Sequence, residues 1–298
     1  MAAPISTLHE EAIASWKTNA AYWDNGIGQD GNRYWKRLQQ PTLERMIPFE
    51  SQTEPRVLEL ATGNGLVARW LAGKGASVLA TDVSTEMLEI AARREMPEHE
   101  GKISYRQLDA TSSEALGALA QEDITAGGFD VVIMNMAIMD VSTIEPLAAA
   151  LPKLLKKDGI RPLTLPLILS FVATVLHPVF FTSGARRSIQ IIDGGPDGYP
   201  EIVRAKTIEK YLDVPPYYGV ALYGQPAQQR KLEVNWCKAY YHRPMHELFS
   251  TFFKTGLVMD AIEEPAFTSE DARPDRLEAA SNYTQLPTLL AFRLRRVV

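Results

Sequence analysis

Four polar residues stand at or near the ends of four apolar runs: Glu59 in 56–60, Asp82 after 77–81, Asp109 after 103–108 and Asn135 after 129–134. The first run passes straight into Ala61-Thr62-Gly63-Asn64-Gly65, and the residues after it read as a helix. A strand, a small-residue turn and a helix N-terminus make a nucleotide-cofactor cradle. Glycine lets a ligand approach the backbone, and the first turn of a helix offers unpaired N–H groups. Gly63-Asn64-Gly65-Leu66-Val67-Ala68 fits G-x-G-x-x-G/A, with Asp82 further on, and could hold NAD. Glu59 argues for a different ligand. A carboxylate beside the turn repels a pyrophosphate and attracts a cationic amino group.

These residues need a scaffold that brings strand ends together. Helices are expected at 8–24, 33–47, 65–74, 84–94 (with Ser84 as N-cap), 114–120 (capped by Ser112 or Ser113) and 143–156. Strands are expected at 56–60, 77–81, 103–108, 129–134 and 171–176. The alternation implies an α/β fold: a Rossmann-like, seven-stranded, mostly parallel sheet with helices on both faces. Ligands of such sheets sit outside the carboxyl ends of the strands, where Glu59, Asp82, Asp109 and Asn135 converge. After Pro178 the period is lost, and 179–240 reads as an inserted cap rich in Gly, Pro and aromatics. A helix at 242–256 and a closing strand pair at 257–262 and 289–295 follow, with 268–285 as a polar surface loop. The expected plan is a single domain over 1–298: a helical lid (1–50), a cofactor-binding core (51–178), a substrate cap (179–240) and the C-terminal helix with its strand pair (241–298).

Bulk properties exclude several classes. A net charge of −5 with scattered basic residues gives no nucleic-acid footprint. The single cysteine, Cys237, permits neither an intramolecular disulfide nor a cysteine-based metal site, so no metal is expected. The N-terminus lacks the charged and apolar regions of a secretory signal, which suits a cytoplasmic protein. The apolar run 162–181 is long enough to span a bilayer, but Pro162, Pro166 and Pro178 interrupt it, and a buried strand is the expected reading.

At this point the chain resembles the class I S-adenosylmethionine-dependent methyltransferases, in their small-molecule branch. Their acid-x-Gly-x-Gly-x-Gly motif stands here as Glu59-Leu60-Ala61-Thr62-Gly63-Asn64-Gly65, with Ala61 in place of the first glycine. Trp16 with Asn19-Ala20-Ala21-Tyr22-Trp23-Asp24, the stretch 129–140, Val175-Leu176-His177-Pro178, His242-Arg243-Pro244-Met245 and Glu263-Glu264-Pro265-Ala266-Phe267 carry the likeness along the chain. The resemblance implies S-adenosyl-L-methionine as cofactor. It puts Glu59, Ala61, Gly63, Asn64 and Gly65 around the methionine part and Asp82 with Val83 at the ribose. Asp109-Ala110 would meet the adenine, Asn135-Met136 the donor methyl, and Tyr22 and Trp23 would lie in a covering helix. Residues 161–170 depart from the family pattern as an apolar insertion before strand five.

Methyl transfer to a neutral O–H or N–H acceptor is helped by a base. His177, at the end of strand five, and His242 are the expected candidates, with His246 a lesser one. The aromatic cap suits a small apolar or aromatic metabolite. The expected function is O- or N-methylation of such a metabolite by a monomer or homodimer, without nucleic-acid or membrane partners. Alternatives are an NAD-dependent oxidoreductase, a same-fold cyclase or scaffold that transfers no methyl, and a protein or RNA methyltransferase.

Overall fold

The computed structural model describes residues 5–47, 54–122, 127–156, 169–194, 198–220 and 237–296. The apolar segment 161–168, the turn at Lys157 and Gly159, and the cap residues Tyr223 and Trp236 lie outside them, as do the side chains of Tyr217, Tyr218 and Cys237.

Strands β1 (Arg56–Leu60), β2 (Ser77–Asp82), β3 (Ile103–Gln107), β4 (Val131–Asn135) and β5 (Ser170–Leu176) run parallel. β1 and β4 are neighbours, so the chain builds outward to β3, returns and builds the other way. The closing pair, β10 (Leu257–Glu263) and β11 (Leu289–Arg296), completes the order β10-β11-β5-β4-β1-β2-β3, with β11 antiparallel to both neighbours. The expected seven-stranded, mostly parallel sheet is therefore present. Its topological switch lies between β1 and β4, where such sheets open a crevice.

Strand alternation divides the core. Leu58, Leu60, Val132, Met134, Phe171 and Phe292 face α5 (Ser113–Leu119), α6 (Glu145–Leu154) and α7 (Met245–Phe253). Val57, Val78, Ala80, Ile133 and Val172 face α2 (Gln40–Met46) and α3 (Leu66–Gly73). Each central strand is thus apolar on both faces, as a covered parallel sheet requires. The described end of the long apolar run is β5, hydrogen-bonded to β4 on one side and β11 on the other. Among the described residues no helix is long and apolar enough to cross a membrane.

The N-terminal helix α1 (Ile5–Ile27) packs Ala20, Trp16 and Trp23 on Met87 and Ile90 of α4 (Thr85–Arg93). The second expected helix divides at Pro41: a π-turn at Trp35–Gln39 precedes α2. Ser84 and Ser112 cap α4 and α5 by accepting from Met87 N–H and Ala115 N–H, at 3.2 and 3.1 Å. The insertion after β5 holds two antiparallel hairpins, β6 (Arg186–Ile192) with β7 (Glu201–Thr207) and β8 (Tyr217–Val220) with β9 (Cys237–Tyr240).

Candidate active site

A cavity of about 420 Å³ opens at the carboxyl ends of the strands, within the size range of small-ligand pockets. One end is built by the turn after β1. Ala61, Gly63 and Gly65 all take positive φ, at 56°, 57° and 74°. The left-handed region strains any residue with a Cβ, so Ala61 holds a conformation better suited to glycine. Gly63 and Gly65 do different work. A Cβ on Gly63 would meet nothing within 4 Å, and Gly63 lines the cavity. A Cβ on Gly65 would sit 2.9 Å from the Cβ of Ala91, so Gly65 permits α3 to approach α4.

Asp82 fastens this turn. Its Oδ2 accepts from Gly63 N–H at 2.9 Å and its Oδ1 from Ser84 N–H at 2.9 Å. Glu59 lies beneath the turn, 1% exposed, and accepts from the Thr62 hydroxyl at 2.7 Å. Burial, reinforced by the nearby Asp82, pushes its carboxyl up to about 8, against the pull of Thr62. Burial also raises Asp82 above the ordinary carboxylate range. Both line the cavity, together with Ala61, Asn64 and Val83.

Helix α1 is tied to this turn. Asp24 of α1 accepts from Arg94 Nε and Nη2 at 2.5 and 2.8 Å and from Asn64 Nδ2 at 2.9 Å. Burial opposes ionisation of Asp24, but Arg94 and Asn64 hold its carboxyl below the usual value. Arg69 adds bonds to the carbonyls of Asn64 and Gln29. Asn64 therefore holds α1 as well as facing the cavity. Trp23 and Trp16, edge-to-face at 5.1 Å, form part of the apolar wall. Tyr22 is not on that wall, and neither is Gly65.

His9, which sequence patterning does not flag, closes a second contact. Its Nε2 lies 3.0 Å from Asp109 Oδ2, and its Nδ1 3.3 Å from Ser142 Oγ. Asp109 also accepts from the N–H and hydroxyl of Thr111. At the end of β4, Asn135 donates to Gln39 Oε1 at 3.0 Å and accepts from the Thr174 hydroxyl at 2.6 Å. Met136 follows at φ 55°. Asp109, Ala110, Asn135 and Met136 all line the cavity.

The two histidines expected to act as bases lie off the wall, and their ring nitrogens are occupied. Nδ1 of His177 accepts from Val179 N–H at 3.3 Å, so Nε2 carries the proton and donates to Glu264 at 2.7 Å. His177 is 2% exposed, and burial lowers its proton affinity. Nε2 of His242 faces the Tyr211 carbonyl at 2.7 Å, which can only accept, so Nδ1 accepts from the Thr182 hydroxyl at 2.9 Å. Burial likewise favours neutral His242. Neither ring keeps a lone pair for a substrate proton, and both tie the post-β5 segment to the core. His246 is exposed on α7.

The segment expected as a cap also differs from expectation. Of the cap at 179–240, only Tyr240 reaches the wall among the described residues, and Tyr199 is 78% exposed. The apolar lining comes instead from α1, from Tyr34 and Trp35, from core side chains such as Leu108, Met136, Met139 and Leu176, and from Phe267. The loop at 268–285, expected on the surface, brings Arg273, Arg276, Ala279, Ala280 and Ser281 to the cavity.

Residues 57–159 match a family described as "Methyltransferase domain". The ubiquinone biosynthesis O-methyltransferase of Brucella anthropi is 27% identical over 161 residues, which are 53% of this chain and 57% of that protein. The magnesium-protoporphyrin O-methyltransferase of Rhodobacter capsulatus is 36% identical over 78 residues, 26% of this chain and 30% of that protein. The chain thus spans about half or less of the curated relatives it matches. The crystal structure of an S-adenosylmethionine-dependent methyltransferase from Mesorhizobium loti superposes with a TM-score of 0.60 at 22% identity, covering 90% of this chain and 100% of that one. Residues 57–159 thus match a methyltransferase-domain family, and the strand order is that of a fold shared with the Mesorhizobium loti S-adenosylmethionine-dependent methyltransferase.

Proposed function

We propose that this chain binds S-adenosyl-L-methionine and transfers its methyl group to an oxygen or nitrogen of a small-molecule acceptor. The observation that carries this reading is the left-handed turn at 61–65, which opens onto the cavity at the β1/β4 switch with Glu59 beneath it and Asp82 beside it. The residues fit the cofactor. Gly63 leaves backbone room for the methionine part, Glu59 and Asp82 favour its cationic amino group and ribose hydroxyls, and Trp16 and Trp23 cover an apolar wall. Bound there, the cofactor supplies a methyl group on a positively charged sulfur. The chain's own part is to hold the acceptor in line and exclude water, which can supply much of the rate. The O-methyltransferase relatives favour an oxygen acceptor.

Calorimetry with S-adenosylmethionine and NAD tests the cofactor; selective binding of NAD would overturn the reading. Incubation with labelled cofactor and a metabolite panel tests transfer. Tight cofactor binding without label in any metabolite would point to a same-fold binding protein.

The histidine geometry makes a separate prediction. His177→Gln should lower the stability by roughly 1–3 kcal/mol through lost buried hydrogen bonding, and the thermal midpoint with it. It should leave the shape of the pH profile of methyl transfer unchanged between pH 6 and 9. Loss of one limb of that profile would restore His177 as the base.

A further inference from the structure

The charges on the cavity wall are segregated. Glu59, Asp82 and Asp109 stand at the ends of β1, β2 and β3, and Asp140 follows β4, while Arg273 and Arg276 come from the loop between β10 and β11, at the other end of the sheet order, with Arg33 paired to Asp271 of that loop. A uniform apolar pocket would need no such division. The arginine side is also built rather than loose. Asn282, 8% exposed, donates to the carbonyls of Arg273, Arg276 and Leu277 at 3.0, 2.7 and 3.3 Å, and its Oδ1 accepts from Arg273 N–H at 2.5 Å. This one buried amide fixes the backbone that presents both guanidinium groups.

More positive charge stands behind them. Arg187 donates to the Glu278 carbonyl, and with Arg33 and Arg276 it acts electrostatically on Tyr34, a cavity-lining side chain. Arg204 and Lys206 of β7 have no carboxylate partner among the described residues, and Arg204 Nε and the Tyr283 hydroxyl are buried without a hydrogen bond. Burial, with the neighbouring Arg187 adding to it, holds the Lys206 amine down at about 7. Two of the compensating carboxylates lie at the surface. Asp275 and Glu278 pair with Arg273 and Arg276 from side chains 61% and 60% exposed, where ion pairs are weak. Asp271 holds Arg33 but is shared with Arg37.

We propose that this end of the cavity is an anion subsite, and that the methyl acceptor carries a carboxylate or phosphate held by Arg33, Arg273 and Arg276. This rests on the methyl-transfer reading above, with the cationic cofactor at the acidic end and the anionic acceptor at the basic end of one cavity. Complementary fields of this kind steer and orient a charged ligand, and guanidinium groups match the planar geometry of carboxylate and phosphate.

The test is an NMR titration of the full chain, with and without S-adenosylhomocysteine, at constant ionic strength. The probes are benzoate, phenyl phosphate and neutral benzamide. Saturable binding of an anion at least tenfold tighter than benzamide is expected. It should weaken about tenfold in Arg276→Gln and in Arg273→Gln, the loss of one charge-assisted contact. S-adenosylhomocysteine affinity should be unchanged in both variants, which also reports that they fold. The tighter of the two anions identifies carboxylate or phosphate. Equal binding of benzoate, phenyl phosphate and benzamide, or unaltered anion affinity in both variants, would overturn the subsite. Anion binding without S-adenosylhomocysteine binding would keep the subsite and remove the cofactor reading. The reverse result would keep the cofactor and remove the subsite.

Discussion

Glu59→Gln should make the empty protein more stable above neutral pH and its cofactor affinity worse. Glu59 is fully enclosed, and its carboxyl is raised from the ordinary carboxylate value to about 8. A raised folded-state value means the folded chain retains a proton that the unfolded chain gives up. The associated stability is therefore complete below about pH 4.5 and is lost progressively as pH rises to about 8. Glutamine keeps an acceptor for the Thr62 hydroxyl and carries no charge to bury. At pH 8 the variant should gain on the order of 2–4 kcal/mol, by this linkage, over the parent. The gain should shrink steadily towards pH 5. Thermal or denaturant unfolding over that range measures it; a constant offset at all pH values would contradict it.

The same residue should report cofactor binding by proton release. A cationic amino group placed near Glu59 favours the carboxylate, so at pH 7 binding should expel up to about one proton. Calorimetry in buffers of different ionisation enthalpy reads that number directly. In Glu59→Gln the release should vanish and affinity for S-adenosylmethionine should fall by about tenfold or more. Unaltered affinity and no proton release in the parent would reduce Glu59 to a strut under the turn. Stability and ligand affinity thus pull in opposite directions at one position, as they do where a site keeps a charge that folding alone would discard.

What could be read from sequence follows the range of the interactions involved. β1, the small-residue turn and α3 are specified by adjacent residues, and their boundaries fall within a residue of expectation. Ser84 and Ser112 act on N–H groups three residues away, so their caps are equally legible. The cradle residues Glu59, Gly63 and Asp82 follow from strand ends in a fixed topology. The remainder depends on distant partners. Arg33 meets Asp271 across 238 residues, and His9 meets Asp109 across 100. Glu264 and Val179 occupy both ring nitrogens of His177, a fact that no local pattern encodes. The loop at 268–285 looks like solvent-facing turn sequence because its arginines are polar; Asn282 turns it toward the cavity.

Gly63→Ala and Gly65→Ala should separate cradle from packing within a single turn. Both glycines sit at positive φ, so alanine at either position carries backbone strain of about 1–2 kcal/mol. Beyond that shared strain the two differ. The new methyl on Gly63 enters open space on the cavity wall, so the fold should absorb it, while the cofactor should lose close backbone approach and bind at least tenfold more weakly. The new methyl on Gly65 lies 2.9 Å from the Ala91 Cβ and 3.3 Å from its Cα, and α3 must move away from α4. Overpacking of this kind adds about 1–3 kcal/mol, so Gly65→Ala should unfold at a clearly lower temperature than Gly63→Ala. Ala91→Gly, which removes the opposing methyl, should recover part of the loss in Gly65→Ala and none of the affinity lost in Gly63→Ala. Melting curves and cofactor titrations on the three single variants and the two double variants decide the matter. Equal destabilisation by both substitutions, with equal loss of affinity, would mean that the turn moves as one unit and that Gly63 has no separate place under the ligand.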